Sequence, residues 1–67
     1  MEKGSIQYID NNSGTGSIRR MGDVEVRFNT ANVIGRDKTT LRAGDFVWFE
    51  MENINNAHVA INVRKCF

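Results

Sequence analysis

Residues Gly4–Ile18 read GSIQYIDNNSGTGSI, and this stretch decides the fold. Its first part, Ser5–Asp10 (SIQYID), sets β-branched and aromatic residues among polar ones without a helical stripe. Such residues suit a pleated, half-buried surface. Asn11–Gly16 (NNSGTG) then gathers the Asn, Ser and Gly that build turns. Ser17–Arg20 is a short second strand, and Met21-Gly22-Asp23 is a second turn. The pattern is strand, turn, strand, turn.

The rest of the chain continues it. Val24–Phe28 (VEVRF) alternates, with Val24, Val26 and Phe28 on one side of an ideal strand and Glu25 and Arg27 on the other. Asn29–Thr40 is polar and irregular, anchored only by Val33-Ile34. Leu41–Asp45 is a turn leading into Phe46–Glu52 (FVWFEME), the most β-prone segment. Asn53–Asn56 reads as a loop, His58 is expected in a loop as well, and Val59–Val63 reads as the last strand. Five short strands with no convincing helix predict an all-β sandwich or barrel. At 67 residues a closed barrel is favoured, because closure removes exposed edges. Proline is absent, and 8 Asn and 6 Gly serve the turns instead.

Size and composition bound the function. A chain of 67 residues is one domain, residues 1–67, and it buries only roughly 60% of its unfolded surface. A two-domain enzyme with a deep cleft is excluded. Nine basic against eight acidic residues give a net charge of +1, which argues against indiscriminate polyanion binding. Arg outnumbers Lys six to three. The longest apolar runs fall far short of the ~20 residues of a membrane span, so no membrane partner is expected. No basic, apolar, small-residue leader opens the sequence, and a single cysteine, Cys66, allows no internal disulfide. A reducing, cytoplasmic setting is the expectation. Cys66 and the lone His58 are too few for a zinc site, which takes three or four ligands. No catalytic spacing, phosphate loop or cofactor motif is present. The expectation is a non-enzyme with no cofactor and no metal.

Gly4–Ile18 resembles the opening of the bacterial cold-shock domain family, roughly G-x-V-K-W-F-N-x-x-K-G-F-G-F-I. Gly4, Ile6, Tyr8, Gly14, Gly16 and Ile18 fall in register without a gap. Asp23–Phe28 (DVEVRF) is similar to the family's D-V-F-V-H-F. Leu41, Gly44, Val47 and Phe49 match L-x-x-G-x-x-V-x-F, and Ala60–Val63 resembles a closing A-x-N-V. The resemblance covers essentially the whole chain in family order. It implies a five-stranded antiparallel OB-fold barrel and binding of single-stranded RNA or DNA. In such binders aromatic side chains stack on bases and basic residues hold phosphates. Apolar residues stand at the family's core positions Ile6, Ile9, Ile18, Val24, Val26, Val47, Phe49, Met51 and Val63.

The departures fall on the binding positions. Tyr8 stands where the family has Trp, Ser13 where it has Lys, and Thr15 and Ser17 where it has Phe. Glu25 replaces a further Phe and Arg27 a His, while Phe28 is kept. Three lost rings at ~1–3 kcal/mol per stacked base amount to roughly 3–9 kcal/mol if additive. Even the low end exceeds a hundredfold in affinity. A guanidinium can stack on a base and pair with phosphate, so Arg27 compensates in part. Glu25 opposes binding unless it pairs across strands with Arg27 or Arg19.

The candidate nucleic-acid contacts are therefore Tyr8 and Phe28 for stacking and Arg27, Arg19 and Arg20 for phosphate, with Lys3, Lys38 and His58 peripheral. Each has a plainer reading: Tyr8 as a half-buried strand residue, Phe28 as core, the cations as solvated charge. Binding weaker than the family's, Arg-dependent and salt-sensitive is the first expectation, in the service of an RNA chaperone or transcript regulator. The alternative is a barrel that has lost nucleic-acid binding and serves as a protein-interaction or homo-oligomeric module. Strand alternation puts Phe46 and Trp48 outward, and with Ile61 they would form its interface.

Overall fold

In the computed structural model, residues 1–20, 22, 24–35 and 40–66 are described. Five strands, β1 (Glu2–Asp10), β2 (Thr15–Arg20), β3 (Val24–Asn29), β4 (Phe46–Ile54) and β5 (Ala57–Lys65), form a closed barrel in the order β1-β2-β3-β5-β4. A 3-10 turn, Thr30–Asn32, follows β3, with the Asn29 side chain accepting from the Ala31 amide at 2.9 Å. No helix among the described residues is long and apolar enough to cross a membrane.

The five-stranded barrel expected from sequence is present, with one correction to its strand directions. Four neighbouring pairs are antiparallel, but β3 and β5 run parallel, pairing Arg27 with Val59 and Phe28 with Ala60. The reason is parity. Directions cannot alternate around a ring of five, so closure forces at least one parallel pair.

The core is the inward phase of every strand. Ile6, Ile18, Val26, Phe28, Val47, Phe49, Ala60 and Val63 are buried, together with Val33 and Leu41 from the long β3–β4 connection. Ile9 and Met51 pack against this cluster. Val24, expected inside, is 48% exposed. It keeps the inward phase but pairs with Arg20 at the first residue of β3, past the end of the packed core.

Two irregularities keep the alternation working. Between Ile6 and Tyr8 the β1–β2 register shifts, so Ile6 faces Ile18 and Tyr8 faces Ser17. Gln7 is the extra residue, a β-bulge. In β5, Glu50 pairs with Ile61 and Trp48 with Arg64, and Asn62 between them has φ +51°. That bulge lets Ala60 and Val63 both point inward although they are three residues apart. The Asn62 amide donates to Glu50 Oε2 at 2.6 Å.

Strand ends also differ from expectation. The loop expected over Asn53–Asn56 narrows to a turn at Asn55-Asn56, both at positive φ (52° and 65°). This matches a type I′ hairpin, whose twist suits the flanking strands and which Asn tolerates. His58, expected in a loop, is consequently an exposed residue of β5 opposite Asn53.

Candidate nucleic-acid interface

The outer face of β1, β2 and β3 begins with the Gln7 bulge. By strict alternation from buried Ile6, Tyr8 would point into the barrel. The inserted residue turns it outward, where it is 45% exposed. Tyr8 pairs with Ser17, Ser17 with Arg27, and Arg27 with Val59, so these four lie in one row across four strands. Strands are ~4.8 Å apart, which places Tyr8 and Arg27 about 10 Å apart across the row. Ser17 lies between them and is fully buried. The row is thus a shallow trough with a ring on one bank and an exposed guanidinium on the other. Among the described residues Arg27 has no hydrogen-bond or ion-pair partner.

Gln7 covers the floor of the trough. In the orientation that satisfies its neighbours, its amide nitrogen donates to Ser17 Oγ (3.1 Å) and Glu25 Oε2 (3.2 Å), and its oxygen accepts from Arg19 Nη2 (2.6 Å). A buried hydroxyl needs such a partner, since burial without one costs a few kcal/mol. The bond also holds Glu25 sideways, and Glu25 sits directly across from Arg19 in the β2–β3 register. The Glu25 carboxylate is thus engaged by Gln7 on its own face rather than by Arg27.

Phe28 does not join this face and must be removed from the stacking candidates. It is 3% exposed and points into the core. Alternation places it on the inward phase with Val26, and Gly16, its cross-strand partner, makes room for the ring. A Cβ on Gly16 would stand 2.5 Å from Phe28 Cζ and 2.9 Å from the Tyr8 carbonyl oxygen. Only hydrogen at that position lets the ring lie flat against β2. One ring, Tyr8, remains on the outer face of β1–β3.

The other predicted contacts are dispersed. Arg19 is exposed on the outward phase of β2, beside the trough. Arg20 takes the inward phase at the barrel end, where Arg20 Nε pairs with Glu2 Oε1 at 2.9 Å. Lys3 lies on a different face, with its ammonium 5.6 Å from the Phe46 ring centroid and 5.5 Å from that of Trp48. Lys38 falls outside the described residues. Phe46 is exposed at 58%, whereas Trp48 and Ile61 are half-buried. All three occupy the outward phase of β4 and β5, Ile61 opposite Glu50.

At the far end of the trough Asp10 orders the β1–β2 turn. Its carboxylate accepts from the backbone amides of Asn12 (2.9 Å) and Ser13 (3.4 Å). These bonds to the charged form, that of Asn12 foremost, hold the carboxyl below its usual range.

Sequence reasoning missed Gln7. A signal was available: Ile6, Tyr8 and Ile9 break period-two alternation, and a phase change inside a strand marks a bulge.

No family model matches the chain, and no curated protein does. Among solved structures it is similar to Drosophila Unr CSD456, a cold-shock domain structure, with a TM-score of 0.80 at 20% identity. The match covers 97% of this chain and 26% of that one, so this chain spans about a quarter of its neighbour's length. On barrel order, closure and this likeness, the chain has the fold of a cold-shock domain, an OB-type barrel.

Proposed function

We propose that this barrel binds single-stranded nucleic acid through the outer face of β1–β3. The observation that carries the reading is the row Tyr8–Ser17–Arg27, with an exposed ring and an exposed guanidinium flanking a covered floor. Tyr8 stacks on one base, and Arg27 engages the neighbouring phosphate or stacks through its plane. Arg19 adds positive charge on the same bank. The likeness to a cold-shock domain supports nucleic acid as the ligand class. Binding is passive, with no bond made or broken, and suits a weak RNA chaperone or transcript regulator in a reducing compartment.

With Thr15, Ser17 and Glu25 lacking rings and Phe28 buried, stacking rests on Tyr8, worth ~1–3 kcal/mol for its base. Affinity is accordingly modest and salt-sensitive. Filter binding of short single-stranded oligonucleotides across a salt series tests this. Saturable binding that weakens with salt is expected. Absence of saturable binding at the lowest salt overturns it.

A further inference from the structure

A second concavity lies on the neighbouring face, across β2, β1 and β4. Ser5 pairs with Arg19 on one side and with Phe46 on the other, so Arg19, Ser5 and Phe46 form a row. The small Ser5 leaves a pocket of about 290 Å³ between the long side chains, lined by Lys3, Gly4, Ser5, Arg19, Arg20 and Phe46. That volume is at the low end of small-ligand clefts, roughly 300–1,000 Å³, and suits one planar ring with its substituent. Gly4 lines it with backbone alone, and on its inward side any Cβ would stand 2.6 Å from the core atom Ile18 Cγ2.

The chemistry of the lining selects the occupant. Phe46, at 58% exposed, is the most exposed aromatic ring among the described residues. Three cationic side chains surround it. Lys3 is held against Phe46 and Trp48 rather than against a carboxylate, so its charge is available at the rim. An apolar protein patch is the poorer match, since interface cores are depleted of charge. A ring to stack on beside ammonium and guanidinium groups is the combination that holds a nucleotide.

We propose that this pocket is a second nucleotide subsite, in which a base stacks on Phe46 and Lys3 and Arg19 hold the flanking phosphate. The idea rests on the single-stranded nucleic-acid reading above and extends it. Arg19 borders both the trough and this pocket, so it marks the path by which one strand passes from Tyr8 over β2 and β1 to Phe46. Trp48 is the only tryptophan in the chain and lies beneath Lys3, so it reports on this face and not on the trough.

The test uses single-stranded oligonucleotides of about 4 and about 10 nucleotides, within the ~4–16 nucleotides typical of an OB fold. The longer one is expected to bind the wild-type protein roughly 5- to 140-fold more tightly, one stacking contribution at about tenfold per 1.4 kcal/mol. It alone should change Trp48 fluorescence. Phe46→Ala should abolish that gain and leave the short oligonucleotide unaffected. Phe46→Leu, which keeps an apolar side chain and removes the stack, should do the same. A length gain that survives both variants, or wild-type affinity independent of length, overturns the subsite while the Tyr8 trough stands. No binding of either length overturns the nucleic-acid reading itself. Binding of an acidic protein segment that Phe46→Ala abolishes, without any oligonucleotide effect, assigns the pocket to a protein partner instead.

Discussion

Gly16→Ala is the sharpest probe of how the Phe28 ring is seated in the core. The added methyl would meet Phe28 Cζ at 2.5 Å and Cε1 at 2.6 Å, about 1 Å inside the ~3.5–4.0 Å of ordinary carbon contact. Neither side can yield easily. Phe28 is 3% exposed and held within the core, and the third contact, at 2.9 Å, is the backbone carbonyl of Tyr8. Overpacking a core costs typically ~1–3 kcal/mol, and a collision with both ring and backbone belongs in the upper part of that range. Alanine restricts the unfolded chain and returns ~0.4–1 kcal/mol. The net expectation is a loss of about 2 kcal/mol, a fall of roughly 8–16 °C in Tm for a domain of this size. The assay is urea and thermal unfolding of a double-mutant cycle with Phe28→Leu, which removes the closest atom. In the Phe28→Leu background, Gly16→Ala should cost about 0.5 kcal/mol or less, a coupling of about 1.5 kcal/mol between the two sites. Additive effects, or a Gly16→Ala protein as stable as wild type, would refute the account of how Phe28 is seated in the core against Gly16.

Three further outcomes are expected. Tyr8→Ala should weaken single-stranded oligonucleotide binding roughly 5- to 140-fold with the melting temperature little changed, whereas Phe28→Leu should lower the melting temperature with binding retained; both are read by anisotropy and calorimetry. Arg27→Ala should reduce the slope of log affinity against log salt by about 0.7, one phosphate contact on a single strand, and an unchanged slope would remove Arg27 from the interface. The Asp10 carboxyl is depressed in the fold, so its contribution to stability is present above the unfolded value of 3.8 and is lost as pH falls through the lower folded value; Asp10→Ala should therefore flatten the acid limb of a stability–pH curve at its most acidic end.

The alternation of Val24–Phe28 and the turn clusters at Asn11–Gly16 and Asn53–Asn56 were sufficient for strand count and approximate strand positions, and the resemblance to the cold-shock pattern added most of the core. These are local properties: side-chain period and turn propensity act over a few neighbours. The positions at which Thr15, Ser17 and Glu25 depart from the cold-shock pattern were equally legible, because a register match needs no geometry. What each surviving side chain does was not. Tyr8 faces outward because the β1–β2 pairing inserts Gln7, and the Phe28 ring, inward by alternation with Val26, finds its room only because Gly16 stands opposite it with no Cβ. Lys3, Ser5, Arg19 and Phe46 come from three strands, β1, β2 and the remote β4, and meet only through the β1–β2 and β1–β4 registers. A strand's own residues determine its two faces, but its partners determine register, and barrel closure alone decides which outward residues become neighbours.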